Sequence, residues 1–315
     1  VNIFTRIATQ YPFPFSNNSR YKNSVFLAGV ARSGTTWISD ILNYENEYRY
    51  IFEPFDSDRV KICREFKDRQ YIRPNNKEER FLKPARAILS GRIRSEWSDR
   101  LNKNSTSNKK LIKDVRANLF LKWLHNNFPD TRIVLVLRHP CAIASSRIKL
   151  KWKTSLNKYL AQRELMEDFL NPFRKELERS EHKYEGNEDI FENSIFAWCI
   201  QNYVPLKQFK EGEIYILFYE KLCTQSKFEI KQLFDFLGKE YDDKALTTFN
   251  KPSVVSQSES SIIAGGSLID SWKKHVTYEQ IQRATEILNL FGFNKIYLEG
   301  SMPCVESSNE CLSNF

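Results

Sequence analysis

Ser24-Val25-Phe26-Leu27-Ala28-Gly29-Val30-Ala31-Arg32-Ser33-Gly34-Thr35-Thr36-Trp37 is the stretch that decides the fold. A short apolar strand runs into a turn bracketed by Gly29 and Gly34, and a helix starts at the two threonines and continues as Ile38-Ser39-Asp40-Ile41-Leu42. This is the pattern of a phosphate-binding loop. Backbone amides at the head of the helix point at an anion, and the helix dipole favours negative charge there. A loop built for a nucleoside triphosphate carries Lys directly after the second glycine and then Ser or Thr to hold magnesium. Here Thr35 takes the Lys place, and the cation is Arg32, inside the turn. Such a loop suits a terminal phosphate or a sulfate better than a magnesium triphosphate.

A second segment repeats the logic. Thr131-Arg132-Ile133-Val134-Leu135-Val136-Leu137 reads as a strand buried in a parallel sheet, and it ends in Arg138-His139-Pro140. A triphosphatase would usually end this strand in an Asp that organises magnesium, whereas a guanidinium reads phosphate bidentately. Pro140 opens the next helix, which carries Ser145, Ser146 and Arg147 about two turns along. Arg138 and Ser146 are therefore expected to share one phosphate. A further strand, Leu111-Ile112, ends in Lys113-Asp114.

These segments resemble those of the sulfotransferases that use 3′-phosphoadenosine 5′-phosphosulfate (PAPS). Arg32-Ser33-Gly34-Thr35-Thr36-Trp37 is similar to the family's 5′-phosphosulfate loop, and Arg138 with Ser146 to its 3′-phosphate pair. Ile216-Leu217-Phe218-Tyr219-Glu220-Lys221-Leu222, followed by an amphipathic helix ending Phe236-Leu237-Gly238, resembles the strand and Tyr-Glu dipeptide near the adenine. Trp272-Lys273-Lys274-His275-Val276-Thr277, after Gly265-Gly266, resembles the segment that closes over the cofactor. The likeness runs roughly from Ser24 to Gly292. Cytosolic members acting on phenols and steroids usually carry a Lys in the loop and a catalytic His on the strand that reads Lys113-Asp114-Val115-Arg116 here. The carbohydrate and tyrosylprotein branch looks closer, because it pairs an Arg-Ser-Gly-Thr-Thr loop with a Glu at the end of the next strand, where Tyr50-Ile51-Phe52-Glu53-Pro54 places Glu53.

The resemblance implies in-line sulfuryl transfer without a metal. Glu53 is then the general base, and Arg32, Lys113 and the amides from Ser33 to Thr36 hold the oxyanions. Expected cofactor contacts are Arg32, Ser33, Gly34, Thr35, Thr36, Trp37, Arg138, Ser146, Tyr219, Trp272 and Lys273. Trp37 reads more as core packing than as a cofactor contact, Tyr219 could equally be core, and Glu53 or Lys113 could be a plain strand-end charge. His139, Asp114 and His125, on a helix from Leu119 to Asn127, are rival bases. Two rival functions stand beside this one: a P-loop kinase, against which the missing Lys after Gly34 argues, and a non-catalytic nucleotide-binding module, in which Glu53 and Lys113 would do nothing.

The rest of the chain is consistent with one α/β domain, a P-loop-like parallel sheet flanked by helices with helical insertions, over residues 1–315. Residues 1–20 form an irregular lead-in and residues 300–315 a polar tail. The 315 residues can bury a sizeable core, and 41% hydrophobic with 28% charged residues is ordinary for a soluble globule. The net charge of +9 suits an anionic cofactor and acceptor. Basic residues are spread along the chain without a nucleic-acid module, so no nucleic-acid partner is expected. Helices are expected over about 157–180 and 190–209, separated by the polar loop His182 to Glu188 and building the acceptor cleft, with a strand at Ile214 to Phe218 and a Ser/Gly-rich lid from Ser253 to Ser271. The six cysteines lack paired metal spacing, and Cys304 and Cys311 are candidates to pair in an oxidising compartment. Asn17-Asn18-Ser19 and Asn104-Ser105-Thr106 match glycosylation sequons. No signal peptide or bilayer-length apolar run is visible, which favours a bacterial cytoplasmic enzyme over a Golgi luminal fragment cut from its anchor. The expected acceptor is a carbohydrate hydroxyl, then a small secondary metabolite.

Overall fold

The computed structural model describes residue 21 and residues 23–182, 187–249 and 269–315. The expected lead-in at 1–20, the sequon at Asn17, Gly265-Gly266 and nearly all of the proposed lid lie outside these residues.

Five strands form one wholly parallel sheet: β1 (Ser24–Gly29), β2 (Tyr48–Phe52), β3 (Lys109–Asp114), β4 (Arg132–Leu137) and β5 (Tyr215–Phe218), in the order β2-β3-β1-β4-β5. Phe26 registers with Ile112 on one side and with Ile133 on the other, which puts β1 at the centre. β1, β4 and β5 are apolar almost throughout because both faces are covered, whereas β3 is apolar only at Leu111 and Ile112, between Lys109-Lys110 and Lys113-Asp114. Alternation sends Phe26, Ala28, Ile133 and Leu135 into a large core on one face and Val25, Leu27, Val134 and Val136 into a smaller core on the other. The C-terminal strand ends therefore lie along one edge, where an open parallel sheet binds its ligands.

Helix α1 (Thr35–Leu42) follows β1, α2 (Leu121–Asn127) follows β3, and α3 (Pro140–Lys149) follows β4. The long α4 (Asn187–Gln208) packs against α3. After β5 the chain enters α5 (Tyr219–Thr224) and α6 (Ser226–Leu237), which stops at Gly238, with φ 65°. The helical stretch expected over about 157–180 is helical but discontinuous: short turns, Asn157–Leu160 and Arg163–Leu165, a wide turn Met166–Leu170, and then a regular helix Arg174–His182. Pro172, which lacks the amide an uninterrupted helix needs, accounts only for the last of these breaks, before Arg174; the first falls at Gln162, whose backbone is extended.

The polar tail also differs from expectation. Ser308–Ser313 forms a helix, α7, that buries Cys311 and Leu312, and Phe315 packs on Phe293 at a centroid distance of 4.8 Å. Ser308 Oγ accepts from the Ile216 amide at 2.8 Å, so the tail satisfies part of the exposed edge of β5. Cys304 is exposed, Cys311 is buried, and both are free thiols. Among the described residues no helix is long and apolar enough to cross a membrane.

Candidate active site

The β1–α1 turn is shaped by close packing. Gly34 sits at φ 88°, and a Cβ there would lie 2.7 Å from the Tyr219 ring. At Gly29 a Cβ would meet Ser33 Oγ at 2.7 Å and the Val136 carbonyl at 3.1 Å. Arg32 is itself left-handed, at φ 81°, a conformation that costs a non-glycine residue about 1–3 kcal/mol and is held only where the surroundings enforce it. Thr35, Thr36 and Ser33 are buried, and the Ser33 hydroxyl has no hydrogen-bond partner.

The second arginine turn meets the first. Arg138 Nη1 donates to the Arg32 carbonyl at 3.0 Å, and Arg32 Nε donates to Ser146 Oγ at 2.9 Å. Ser146 thus ties the helix after β4 to Arg32, a contact that the sequence spacing does not suggest. Among the described residues neither guanidinium forms an ion pair. Burial and then the neighbouring Arg138 charge lower the Arg32 pKa. Two half-buried cations with no counter-charge, beside a buried unpartnered hydroxyl and a helix N-terminus, make a place for an anion.

Tyr219 supports both turns from below. Its ring is buried 5.6 Å from that of Trp37, and the Arg138 guanidinium lies 4.1 Å over it. Trp37, expected among the nucleotide contacts, is core, in the smaller cluster beneath the loop. Glu220 is fully buried and accepts from the His139 amide at 2.7 Å and from Tyr297 Oη at 2.9 Å. His139 caps α3 by accepting from the Cys141 amide at 3.3 Å, and its ring stacks on Trp272 at 4.6 Å. Burial pushes His139 down to about 4, which fits a neutral structural cap, and both ring nitrogens are engaged, Nδ1 by the Cys141 amide and Nε2 with the Leu298 carbonyl at 3.1 Å. Trp272 is buried, whereas Lys273 is largely exposed and pairs with Asp270 at 3.3 Å.

One strand over from the loop, the end of β3 meets the end of β2. The Glu53 amide donates to the Lys113 carbonyl at 2.7 Å, and Glu53 holds φ 40°. Its carboxylate takes Lys113 Nζ at 2.6 Å on one oxygen and Arg116 Nη1 at 2.7 Å on the other. Burial works to raise the Glu53 carboxyl, but these two cations overcome it and the net shift is downward. Lys113 is buried and shifted down, chiefly by desolvation. Arg116 also reaches Asp56 at 2.9 Å and Asp68 at 3.6 Å. Sequence reading quoted Arg116 but gave it no part. Its signal was position, one turn past the strand-end Lys113, and only folding brings Asp56 and Asp68 to it. Asp114 is fully buried, accepts from the Phe55 and Arg116 amides, and is raised to about 6 by burial, so it organises backbone. His125 lies on α2 beside Glu213, at 3.7 Å. Among the described residues no group of three or more His, Cys, Asp or Glu is placed to hold a metal.

Solved structures with a similar course include a sulfotransferase domain from the curacin biosynthetic pathway (14% identity, 86% of this chain and 98% of that one, TM-score 0.48). A mouse sulfotransferase complexed with PAP (10%, 85% and 84%, TM-score 0.48) and a sulfotransferase from Mycobacterium avium (12%, 90% and 79%, TM-score 0.46) are also similar. No curated protein sequence matches the chain. The sequence profile described as "Sulfotransferase domain" matches residues 22–295, a span that takes in both arginine turns, the Glu53 strand and the Tyr219 support. By that match the chain belongs to the sulfotransferase domain family, enzymes of sulfuryl transfer.

Proposed function

We propose that the protein moves a sulfuryl group from PAPS to an acceptor hydroxyl, with a carbohydrate or a small secondary metabolite as acceptor. The observation that carries the reading is the meeting of the two arginine turns, joined by the Arg138 bond to the Arg32 carbonyl and the Arg32 bond to Ser146, with no carboxylate paired to either guanidinium among the described residues. A bound phosphosulfate would supply the reactive sulfuryl group. Around it, Arg32, the Ser33 hydroxyl and the amides from Ser33 to Thr36 hold the anionic oxygens, and Arg138 with Ser146 holds the second phosphate. Tyr219 sets the position of both turns.

Glu53 takes the proton of the acceptor hydroxyl. Lys113 and Arg116 keep it ionised at neutral pH, so it is ready as a base without a prior deprotonation. Lys113 stands on the strand next to β1, paired with Glu53, and its Nζ would supply positive charge to the departing phosphate oxygen of a bound phosphosulfate. The kinase reading is weaker because β4 ends in Arg138 in place of an Asp and Thr35 replaces the lysine after Gly34.

Calorimetric titration with adenosine 3′,5′-bisphosphate and with ATP, each with and without magnesium, tests this reading. Metal-independent binding of the bisphosphate, and radiolabelled sulfate reaching an acceptor panel, are expected. Magnesium-dependent ATP binding alone would move the protein to the kinases, and bisphosphate binding without transfer to any acceptor would make it a non-catalytic module.

A further inference from the structure

Next to Arg116, through Asp68, lies a second group of cations that the transfer reading leaves unused. Asp68 ion-pairs with Arg69 and with Lys158, the latter at 3.2 Å, while also facing Arg116. Arg147, on α3 next to Ser146, is only 3% exposed. Among the described residues it forms no ion pair, and its Nη1 donates to Thr154 Oγ1 at 3.1 Å. Tyr159 is fully buried and its hydroxyl has no hydrogen-bond partner.

The charges feel one another. Desolvation and then Arg69 lower Arg147 to about 10, and desolvation, Arg69 and Arg147 lower Lys158 to about 8 against the pull of Asp68. Arg147 shares the pull of one carboxylate, Asp68, with Arg69 and Lys158, and a buried guanidinium so incompletely neutralised is costly and persists where something else completes the balance. Arg69 is moreover fixed in place at φ 53°, with Gln201 Oε1 accepting from its Nε at 3.2 Å and Gln162 Nε2 donating to its carbonyl at 3.0 Å. The group is wet at one end and dry at the other: the Asp68 side chain is 46% exposed, Lys158 29% and Arg69 16%, whereas Arg147 and Tyr159 are closed off.

We infer that Arg69, Arg147, Lys158 and the Tyr159 hydroxyl form an anion subsite, and that the acceptor carries an acidic group, a carboxylate or a sulfate or phosphate ester, that binds there. Arg116 reaches both Glu53 and Asp68 with one guanidinium, so an acid that takes Arg69 and Lys158 over from the half-exposed Asp68 side chain is seated one side chain away from Glu53. The acceptor half rests on the sulfuryl-transfer reading, while the anion half stands on the niche alone.

The probe is inorganic sulfate, added to the full chain saturated with adenosine 3′,5′-bisphosphate, with sodium chloride balancing ionic strength. A saturable rise in melting temperature is expected, with apparent affinity about tenfold lower in Lys158→Met and in Arg69→Gln, each read against its own baseline. Arg147→Met should remove it, and the two more exposed positions decide the matter if that variant does not fold. A linear response, or equal affinity in the variants, overturns the subsite as no more than an ordinary salt effect. The second arm compares transfer to a neutral alcohol and to the same scaffold bearing a carboxylate. A preference for the acid of about tenfold or more in kcat/KM, collapsing in Lys158→Met, is expected. Equal rates with sulfate binding intact would reassign the niche to a free ion and overturn the acidic acceptor. If the bisphosphate itself does not bind, the transfer reading fails, and the sulfate titration on the nucleotide-free chain still judges the niche.

Discussion

At the scale of single residues the chemistry rests on charge placement. Glu53→Gln keeps the nucleotide contacts and removes the base, so bisphosphate affinity should hold while transfer falls by ~10²–10⁴. Arg32→Ala should lose both, as paired calorimetry and single-turnover assays would show. The pH profile follows from the lowered Glu53 pKa. A carboxyl depressed in the folded state is ionised, and contributes stability, above its unfolded value, and it loses both as pH falls through the folded one. The acid limb of transfer should therefore lie below the ordinary glutamate range. Lys113→Met removes the larger of the two favourable charges and should move that limb to higher pH. The candidates themselves were legible, because Arg32, Glu53, Lys113 and Arg138 each end a strand or open a helix. Arg116 and Asp68 were not, since their meaning lies in a contact across 48 residues of chain.

At the scale of elements, the two loops are set by what lies under them. Gly34→Ala forces a Cβ into the Tyr219 ring at a left-handed φ. It should cost about 1–3 kcal/mol in chemical denaturation and weaken nucleotide binding. The α3 cap makes an opposed pair. His139 is shifted down to about 4, so its contribution makes stability fall as pH drops through about 6.5 to 4. Glu220 is shifted up to about 7, chiefly by burial, so its contribution is full below the unfolded glutamate pKa and is lost as pH rises through about 7. In the shared window the two slopes oppose each other. Glu220→Gln leaves the His139 slope uncancelled, and melting temperatures between pH 7 and 4.5 should fall more steeply on acidification than in the parent. An unchanged slope would show that the two groups do not titrate in that window. Strand and helix identity could be read from apolar runs, Gly34 and Pro140. The broken insertion at 157–173 could not, because its turns answer to packing on neighbouring helices.

At the scale of the whole molecule, the cores on the two faces of the sheet and the C-terminal helix close the domain. Leu312→Ala opens a cavity under α7, with an expected loss of about 2–5 kcal/mol in urea melts. Nucleotide affinity should be unaltered, because among the described residues no hydrogen bond or ion pair joins Leu312 to either arginine turn. A parallel change in affinity would mean that the tail reaches the site. The fold class followed from the sequence alone: a buried parallel strand needs a continuous apolar run, and a phosphate loop needs glycines at fixed spacing, both of which are local patterns. Pairings across the fold followed only from the tertiary structure. Arg32 reaches Ser146, Tyr219 carries both loops, and Arg116 joins Glu53 to Asp68, because ion pairs and ring contacts depend on distances in space that no local spacing encodes.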